Sequence, residues 1–397
     1  MNEDTQVVVV GGGYAGVMAA NRLTQRDDVT VTLVNPRPGF VHRVRLHQHA
    51  GGTGEAVVAF RDVLAQRVRL VVDSVERIDA DGRAVALKSG ESIRYDYLVY
   101  AVGSGSADPS VPGAAEFAHA LGTLEEAERL KPVLDAAGTT VPVVVVGAGP
   151  TGIEVASELA EQGRPVTLVC GGVLGPSLHP RGRRSVAGRM AKLGVTVLDG
   201  PGSKVTAVTR DAVRLADGRE VASGVTVWSA GFAVPDLAAR SGLSTDEAGR
   251  LLTDETLTSV DDPRILAAGD SAAPSGVPLR MSCQAAMPLG ARAADTILSR
   301  LAGEQPENLK TYFFGQCISL GRRHGIFQFA HRDDVALWFH VGGRPGARLK
   351  ELVCNVIVKH LTEEAHKPGG YRLHRAAGSP KRQQMLQARR DEAVVTT

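Results

Sequence analysis

The sequence predicts an α/β protein made of two similar domains, with a smaller α+β domain behind them. Two observations carry this. The order apolar run, glycine-rich turn, helical pattern, apolar run occurs twice, over residues 6–34 and 143–169. Each copy is then followed by short strands punctuated by an Asp-Gly turn, a strong hairpin signal, and closes on a strand ending in small residues. A chain of 397 residues has room for two or three cores of ordinary size.

In the first copy, Gln6-Val7-Val8-Val9-Val10 runs into Gly11-Gly12-Gly13-Tyr14-Ala15-Gly16, then the helical pattern from Val17 to Leu23, then the strand Val29 to Val34. Strands follow through Val71 to Ile78, turn at Asp81-Gly82, resume from Ala84 to Leu87, and end in Tyr97-Leu98-Val99-Tyr100-Ala101-Val102-Gly103. In the second copy, Val143 to Val146 leads to Gly147-Ala148-Gly149-Pro150-Thr151-Gly152, the helix Ile153 to Ala160, and the strand Pro165 to Val169. Val205 to Val208 and Ala212 to Leu215 then turn at Asp217-Gly218, and Val225 to Gly231 closes the block. A buried strand, Pro263 to Ala268, ends in Gly269-Asp270, and a helix is expected from about Gln284 to Leu301. From about residue 306, strands at Ile318 to Leu320 and Ala336 to His340 and a helix from about Ala347 to Leu361 form the third domain.

Composition is that of an ordinary globular protein, 43% hydrophobic and 22% charged, and a formal net charge of +2 gives no reason to expect nucleic acid as a partner. Cys170, Cys283, Cys317 and Cys354 lie far apart and form no close pair. They are expected to be isolated small hydrophobes, with no disulfide, no dithiol redox centre and no metal site. No signal peptide precedes the first strand, and no apolar stretch approaches the roughly 20 residues of a membrane-spanning helix. A cytoplasmic protein is expected, with peripheral contact on the inner face of the membrane left open.

The glycine spacing has a physical meaning. In GxGxxG between strand and helix, the first glycine makes the tight turn, the second lets backbone approach a pyrophosphate, and the third lets helix and strand pack. The helix N-terminus then turns its free N–H groups on the phosphates. Gly11, Gly13 and Gly16 fit one such site, and Gly147, Gly149 and Gly152 fit the other, so both domains are expected to be Rossmann-like. Both depart from the pattern at the end of the second strand, where an acidic residue normally accepts bonds from the ribose. Asn35 stands there in the first site and still offers a carbonyl oxygen; Cys170 stands there in the second. With no carboxylate at position 170, a 2′-phosphate is not repelled, and Arg181, Arg183 and Arg184 follow as candidate partners for it or as a solvated loop. NADH and NADPH are both open.

These two motifs, together with Ala101-Val102-Gly103-Ser104, Trp228-Ser229-Ala230-Gly231-Phe232 and Ala268-Gly269-Asp270, form a constellation. Over roughly residues 5 to 300 the chain resembles the FAD-dependent pyridine nucleotide oxidoreductases of glutathione-reductase-type fold, in the type II NADH dehydrogenase and apoptosis-inducing-factor-like branch. The resemblance implies a discontinuous FAD-binding domain (1–110 with 236–305), an NAD(P)-binding domain (111–235) and a C-terminal domain with a basic tail (306–397). It implies that Gly11, Gly12, Gly13, Tyr14, Ala15 and Gly16 hold the FAD pyrophosphate. Asn35, Pro36, Arg37, Val75, the backbone of Ala101, Val102 and Gly103, and Gly269 with Asp270 belong to the same cofactor. The second site, Gly147, Gly149, Pro150, Thr151 and Gly152 with Cys170 and Gly231, takes NADH or NADPH. Glu154 matches a glutamate near the nicotinamide and flavin, with a simple helix-dipole role as its alternative. Phe40 to His49 passes the flavin, with Arg43 as a candidate contact; His42, His47 and His49 need no catalytic role.

The implied activity is that of an FAD-dependent NAD(P)H dehydrogenase: hydride passes to the flavin and electrons pass on to a small-molecule acceptor, with the protein supplying alignment and electrostatics. Type II enzymes reduce quinones and usually carry Ala-Gln-x-Ala-x-Gln-x-Gly at the helix beginning near Gln284, whose N-terminus favours negative charge on the flavin. This chain reads Cys283-Gln284-Ala285-Ala286-Met287-Pro288-Leu289-Gly290, keeping Gln284 and replacing the second glutamine by Pro288. The partly amphipathic stretch Leu349 to Leu361 and the basic Lys381, Arg382, Arg389 and Arg390 suit a packed helix followed by a disordered tail, or a membrane-surface anchor. A reductase for a ferredoxin- or rubredoxin-type carrier and a slow-turnover redox sensor are the alternatives to quinone reduction, and a homodimer is compatible with all three.

Overall fold

The structure is a computed structural model and describes residues 4–310, 312–372 and 378–395. Thr5–Val10 is the central strand of a five-stranded parallel sheet, ordered Ile265–Ala267, Tyr97–Tyr100, Thr5–Val10, Val29–Asn35, Arg69–Val72. Its four valines form an unbroken apolar run because each face of the strand has its own core. Val7 and Val9 join the core under the helix Tyr14–Leu23, whereas Val8 and Val10 join one containing Ile78, Val85 and Leu87 from an antiparallel meander.

The second half repeats this plan. Ala118–Ala120, Val225–Trp228, Val143–Val146, Val166–Val169 and Thr196–Leu198 form a second five-stranded parallel sheet in that order. Val143 and Val145 face the core under the helix Pro150–Glu161, and Val144 and Val146 face the second meander through Val205, Val213 and Leu215.

The apparent equivalence of the two Asp-Gly turns does not hold. Asp81-Gly82 joins the first two strands of its meander, Val75–Asp79 and Ala84–Leu87, whereas Asp217-Gly218 joins the last two, Ala212–Leu215 and Glu220–Ala222. The expected run from Val71 to Ile78 is also divided: Arg69–Val72 belongs to the parallel sheet and Val75–Asp79 opens the meander.

Three antiparallel strands follow, Gly315–Ser319, Gly325–Ala330 and Ala336–Gly342, and lead into the helix Gly343–His366. The middle strand was not expected, and the helix is longer than Ala347 to Leu361. This helix packs on the first sheet's domain. Asn21 Nδ2 donates to the Leu361 carbonyl at 3.1 Å, and the fully buried Arg22 reaches Asp295 at 2.5 Å, Glu364 at 2.9 Å and the Tyr371 carbonyl at 3.1 Å. The expected disordered tail is instead a helix, Pro380–Val395, in which the buried Arg382 pairs with Glu255 at 2.7 Å and also donates to the Pro274 and Val277 carbonyls. Lys381 and Arg389 are exposed on this helix; the side chain of Arg390 lies outside the described residues.

Among the described residues no helix is long and apolar enough to cross a membrane.

Candidate active site

The two glycine turns have the same backbone. Gly11 and Gly147 have φ of +103° and +106°, a region that L side chains rarely adopt. A Cβ on Gly16 would strike the Gly11 carbonyl oxygen, and one on Gly152 would strike that of Gly147. A Cβ on Gly13 or Gly149, in contrast, would meet nothing within 4 Å. The outer glycines are thus dictated by packing, and the middle ones keep open space at a helix N-terminus. A pyrophosphate fits both places.

Around the first turn, Asn35 is buried and pinned: its Oδ1 accepts from the Gly12 N–H at 2.8 Å and its Nδ2 donates to the Arg37 carbonyl at 2.8 Å. One lone pair of Oδ1 is left for a ribose hydroxyl. Arg37 itself is held by Glu125 from the second half, with Nη2 at 2.5 Å. Ser104 donates to Asp270 at 2.7 Å, and Arg43 reaches Ser104 at 3.0 Å and Asp270 at 3.4 Å, so these three residues join the Tyr97–Tyr100 and Ile265–Ala267 strand ends to the segment after Phe40.

One cavity of about 1120 Å³ joins the two glycine turns to the C-terminal helix Gly343–His366. It is lined by Gly11 to Ala15, Asn35 to Arg37, Arg43, Val75, Ala101 to Gly103, Gly269 and Asp270, and it reaches Pro150, Thr151 and Glu154 of the second turn and Gln284 at the start of the helix Cys283–Leu301. Gly16, Gly147, Gly149, Gly152, Cys170 and Gly231 do not line it: Gly16 is packed beneath the first turn, and the others surround the second.

Glu154 sits at the seam. It is buried, and Oε1 accepts from Lys350 Nζ at 2.8 Å and from the Ser319 N–H at 3.0 Å, while Oε2 lies 3.4 Å from His47 Nδ1. Burial alone would raise its pKa, but Lys350, His47 and the Ser319 N–H outweigh that and hold the carboxyl below the usual value. Burial likewise opposes the charge on Lys350, yet Glu154 keeps its pKa well above the ordinary lysine value. Burial pushes His47 down to about 4, against the pull of Glu154, so its ring is neutral at pH 7. A carboxylate, an ammonium and a neutral imidazole therefore meet at the cavity wall. The first comes from the second domain, the second from the helix Gly343–His366 and the third from the segment after Phe40. This is more than a helix-dipole role for Glu154.

Lys350 was missed in the sequence, although a signal exists: it falls on the same stripe as Cys354, Ile357 and Leu361, the buried face of its helix. A cation on an apolar stripe needs a partner. Cys283, Cys317 and Cys354 are free and all line the same cavity. Burial pushes Cys283 up to about 12 and Cys354 up to about 11 and raises Cys317 as well, so all three are protonated thiols at pH 7 and behave as small apolar groups.

At the helix start, Ser282 caps the backbone N–H of Ala285 at 3.3 Å, and the buried Oε1 of Gln284 has no hydrogen-bond partner among the described residues. Pro288, in place of a second glutamine, is buried and adds an apolar surface to the cavity.

The chain is 32% identical over 358 residues to an NADH dehydrogenase-like protein of Mycobacterium tuberculosis, covering 81% of this chain and 87% of that protein. It is 29% identical to the type II NADH:quinone oxidoreductase Ndh of the same species, over 76% of this chain and 74% of that one. Its fold matches the sulfide:quinone oxidoreductase of Aquifex aeolicus with a TM-score of 0.78 at 20% identity, covering 92% and 93% of the two chains. The pattern of the pyridine nucleotide-disulphide oxidoreductases matches residues 5–290; the chain belongs to that family and is an NAD(P)H-dependent oxidoreductase working with FAD.

Proposed function

We propose that the chain takes hydride from a nicotinamide nucleotide at the Gly147–Gly152 turn, passes it to FAD held along Gly11–Gly16, Asn35, Ala101–Gly103 and Asp270, and delivers the electrons to a quinone. We read residues 1–110 with 236–305 as the FAD domain and 111–235 as the nicotinamide domain. FAD supplies the two-electron carrier; the chain's own residues supply alignment, exclusion of water and protons.

The observation that carries the reading is the shared cavity, polar where both turns and Glu154 meet it and apolar further on. That far wall, made by Leu279, Met287, Pro288, Val353 and Ile357, suits a flat apolar ring. Gln284 also lines the cavity, and its side-chain N–H₂ gives such a ring one donor for a carbonyl oxygen. The type II NADH:quinone oxidoreductase relative supports the same acceptor.

Reducing a quinone to a quinol takes two electrons and two protons. The nicotinamide donates a hydride, which brings both electrons and one hydrogen, so one further proton must come from the medium. Lys350 holds a proton at the cavity wall, and Glu154 keeps it there. Anaerobic stopped-flow reduction tests the reading: NADH or NADPH should bleach the flavin absorbance, and a soluble quinone should restore it much faster than oxygen or a ferredoxin. Fast re-oxidation by a ferredoxin alone would favour a carrier-protein reductase, and slow re-oxidation by every acceptor a redox sensor.

A further inference from the structure

The second site has no carboxylate at the end of its own second strand, yet the fold places one beside it. Val166–Val169 and Thr196–Leu198 run parallel with Val169 opposite Leu198, so the next residues, Cys170 and Asp199, are neighbours at the C-terminal edge of the sheet. The Cys170 N–H donates to the Leu198 carbonyl at 2.8 Å, which fixes that register. In this fold the adenosine ribose lies at that edge.

Asp199 is exposed, and among the described residues its side chain has no ion pair and no hydrogen bond. Its charge is felt at Cys170, where burial first and Asp199 second push the thiol up to about 12. Gly171 and Gly172 follow, and a Cβ on either would meet nothing within 4 Å, so space is left for a sugar. Two of the arginines that would welcome a 2′-phosphate are engaged elsewhere: Arg181 lies over the Trp338 ring at 5.2 Å, and Arg183 donates to the Leu178 carbonyl at 3.2 Å.

We propose that Asp199 replaces the missing strand-end carboxylate and makes the second site select NADH over NADPH. The proposal rests on the reading that the Gly147–Gly152 turn binds a nicotinamide nucleotide. A free carboxylate accepts bonds from both hydroxyls of the NADH ribose, and it repels the dianionic 2′-phosphate of NADPH.

The test is anaerobic flavin reduction of the FAD-loaded protein by each nucleotide, in the wild type and in Asp199→Asn, which keeps the shape and removes the charge. The wild type should favour NADH in kcat/KM, and Asp199→Asn should narrow that ratio by about tenfold, mainly through a lower KM for NADPH. Added salt should narrow the ratio in the wild type and change it little in the variant. Equal use of both nucleotides by the wild type, or an unchanged ratio in Asp199→Asn, would overturn the role of Asp199 alone. Reduction by neither nucleotide would overturn the reading of the second site itself.

Discussion

The two glycine turns share a backbone and differ in almost everything attached to it. Both have a positive φ at the first glycine, a third glycine pressed on the first, and open space at the middle one. Yet the first turn gives the cavity five consecutive residues, Gly11 to Ala15, while the second gives it only Pro150, Thr151 and Glu154. The first strand end carries a buried amide bonded back to its own turn, and the second carries a thiol beside an exposed carboxylate. The repeat therefore specifies the same turn twice, and the side chains around it decide how far each copy is enclosed.

Alanine at the third glycine should break the symmetry most visibly. Gly16→Ala and Gly152→Ala face the same backbone clash, which costs about 1–3 kcal/mol or more in a site that cannot relax. We expect Gly16→Ala to purify without flavin absorbance, and Gly152→Ala to keep its flavin but to be reduced at least about 100-fold more slowly at low nucleotide concentration. Equal flavin content in the two variants would remove the distinction between the sites.

The seam between the halves comes next. Lys350→Met leaves the buried Glu154 charge without its main partner and should cost about 3–5 kcal/mol of stability. The double variant Lys350→Met/Glu154→Gln should recover much of the loss in urea unfolding. If the single and double variants unfold alike, the pair is not the unit described above.

The histidines at the same seam set a pH dependence. His42 and His47 are both pushed by burial from 6.5 to about 4. The unfolded chain binds these protons first, so their contribution is fully present above pH 6.5 and is lost as pH falls through about 4. The effect is on the order of 3 kcal/mol for each ring. The urea midpoint should therefore fall between pH 7 and pH 5, and His47→Gln should flatten that decline; a flat wild-type profile contradicts buried neutral imidazoles.

The smallest effect sharpens the comparison at the strand ends. Asn35→Ala leaves the Gly12 N–H unpaired in a buried place and should weaken FAD retention by about 1–3 kcal/mol. Cys170→Ala should change nicotinamide binding by less than about 0.5 kcal/mol, because the thiol donates nothing the site needs. Flavin release on dilution and the KM for NADH read the two.

What the sequence made legible was whatever repeats locally. The valine runs, the glycine spacing and the helix from Cys283 follow from periodicity and turn chemistry, and the duplication made each half support the other. The strand Gly325–Ala330 escaped because Gln328 interrupts its apolar pattern, although that amide is buried and bonded to the Leu337 carbonyl at 2.6 Å. The two Asp-Gly turns looked equivalent because a hairpin signal says where a chain reverses, not which pair of strands it joins. The Lys350–Glu154 pair, the shared cavity of three distant cysteines and the Arg382–Glu255 pair depend on segments far apart in sequence coming together, and no local pattern specifies these partners. Asp199 belongs with these, since only the pairing of two strands puts it next to Cys170.

Arg22 ties the order of synthesis to the order of folding. It is fully buried on the helix that opens the first glycine site, and its partners lie 273, 342 and 349 residues further on. When the first βαβ unit leaves the ribosome, every group that neutralises this cation is still unmade. Burying Arg22 before Asp295 and Glu364 have emerged would leave its charge unpaired, so the first helix is expected to keep that face in water until they arrive. A nascent chain stopped short of that point should remain protease-sensitive at its first helix and should gain protection, together with its flavin, only once the last partner has been added.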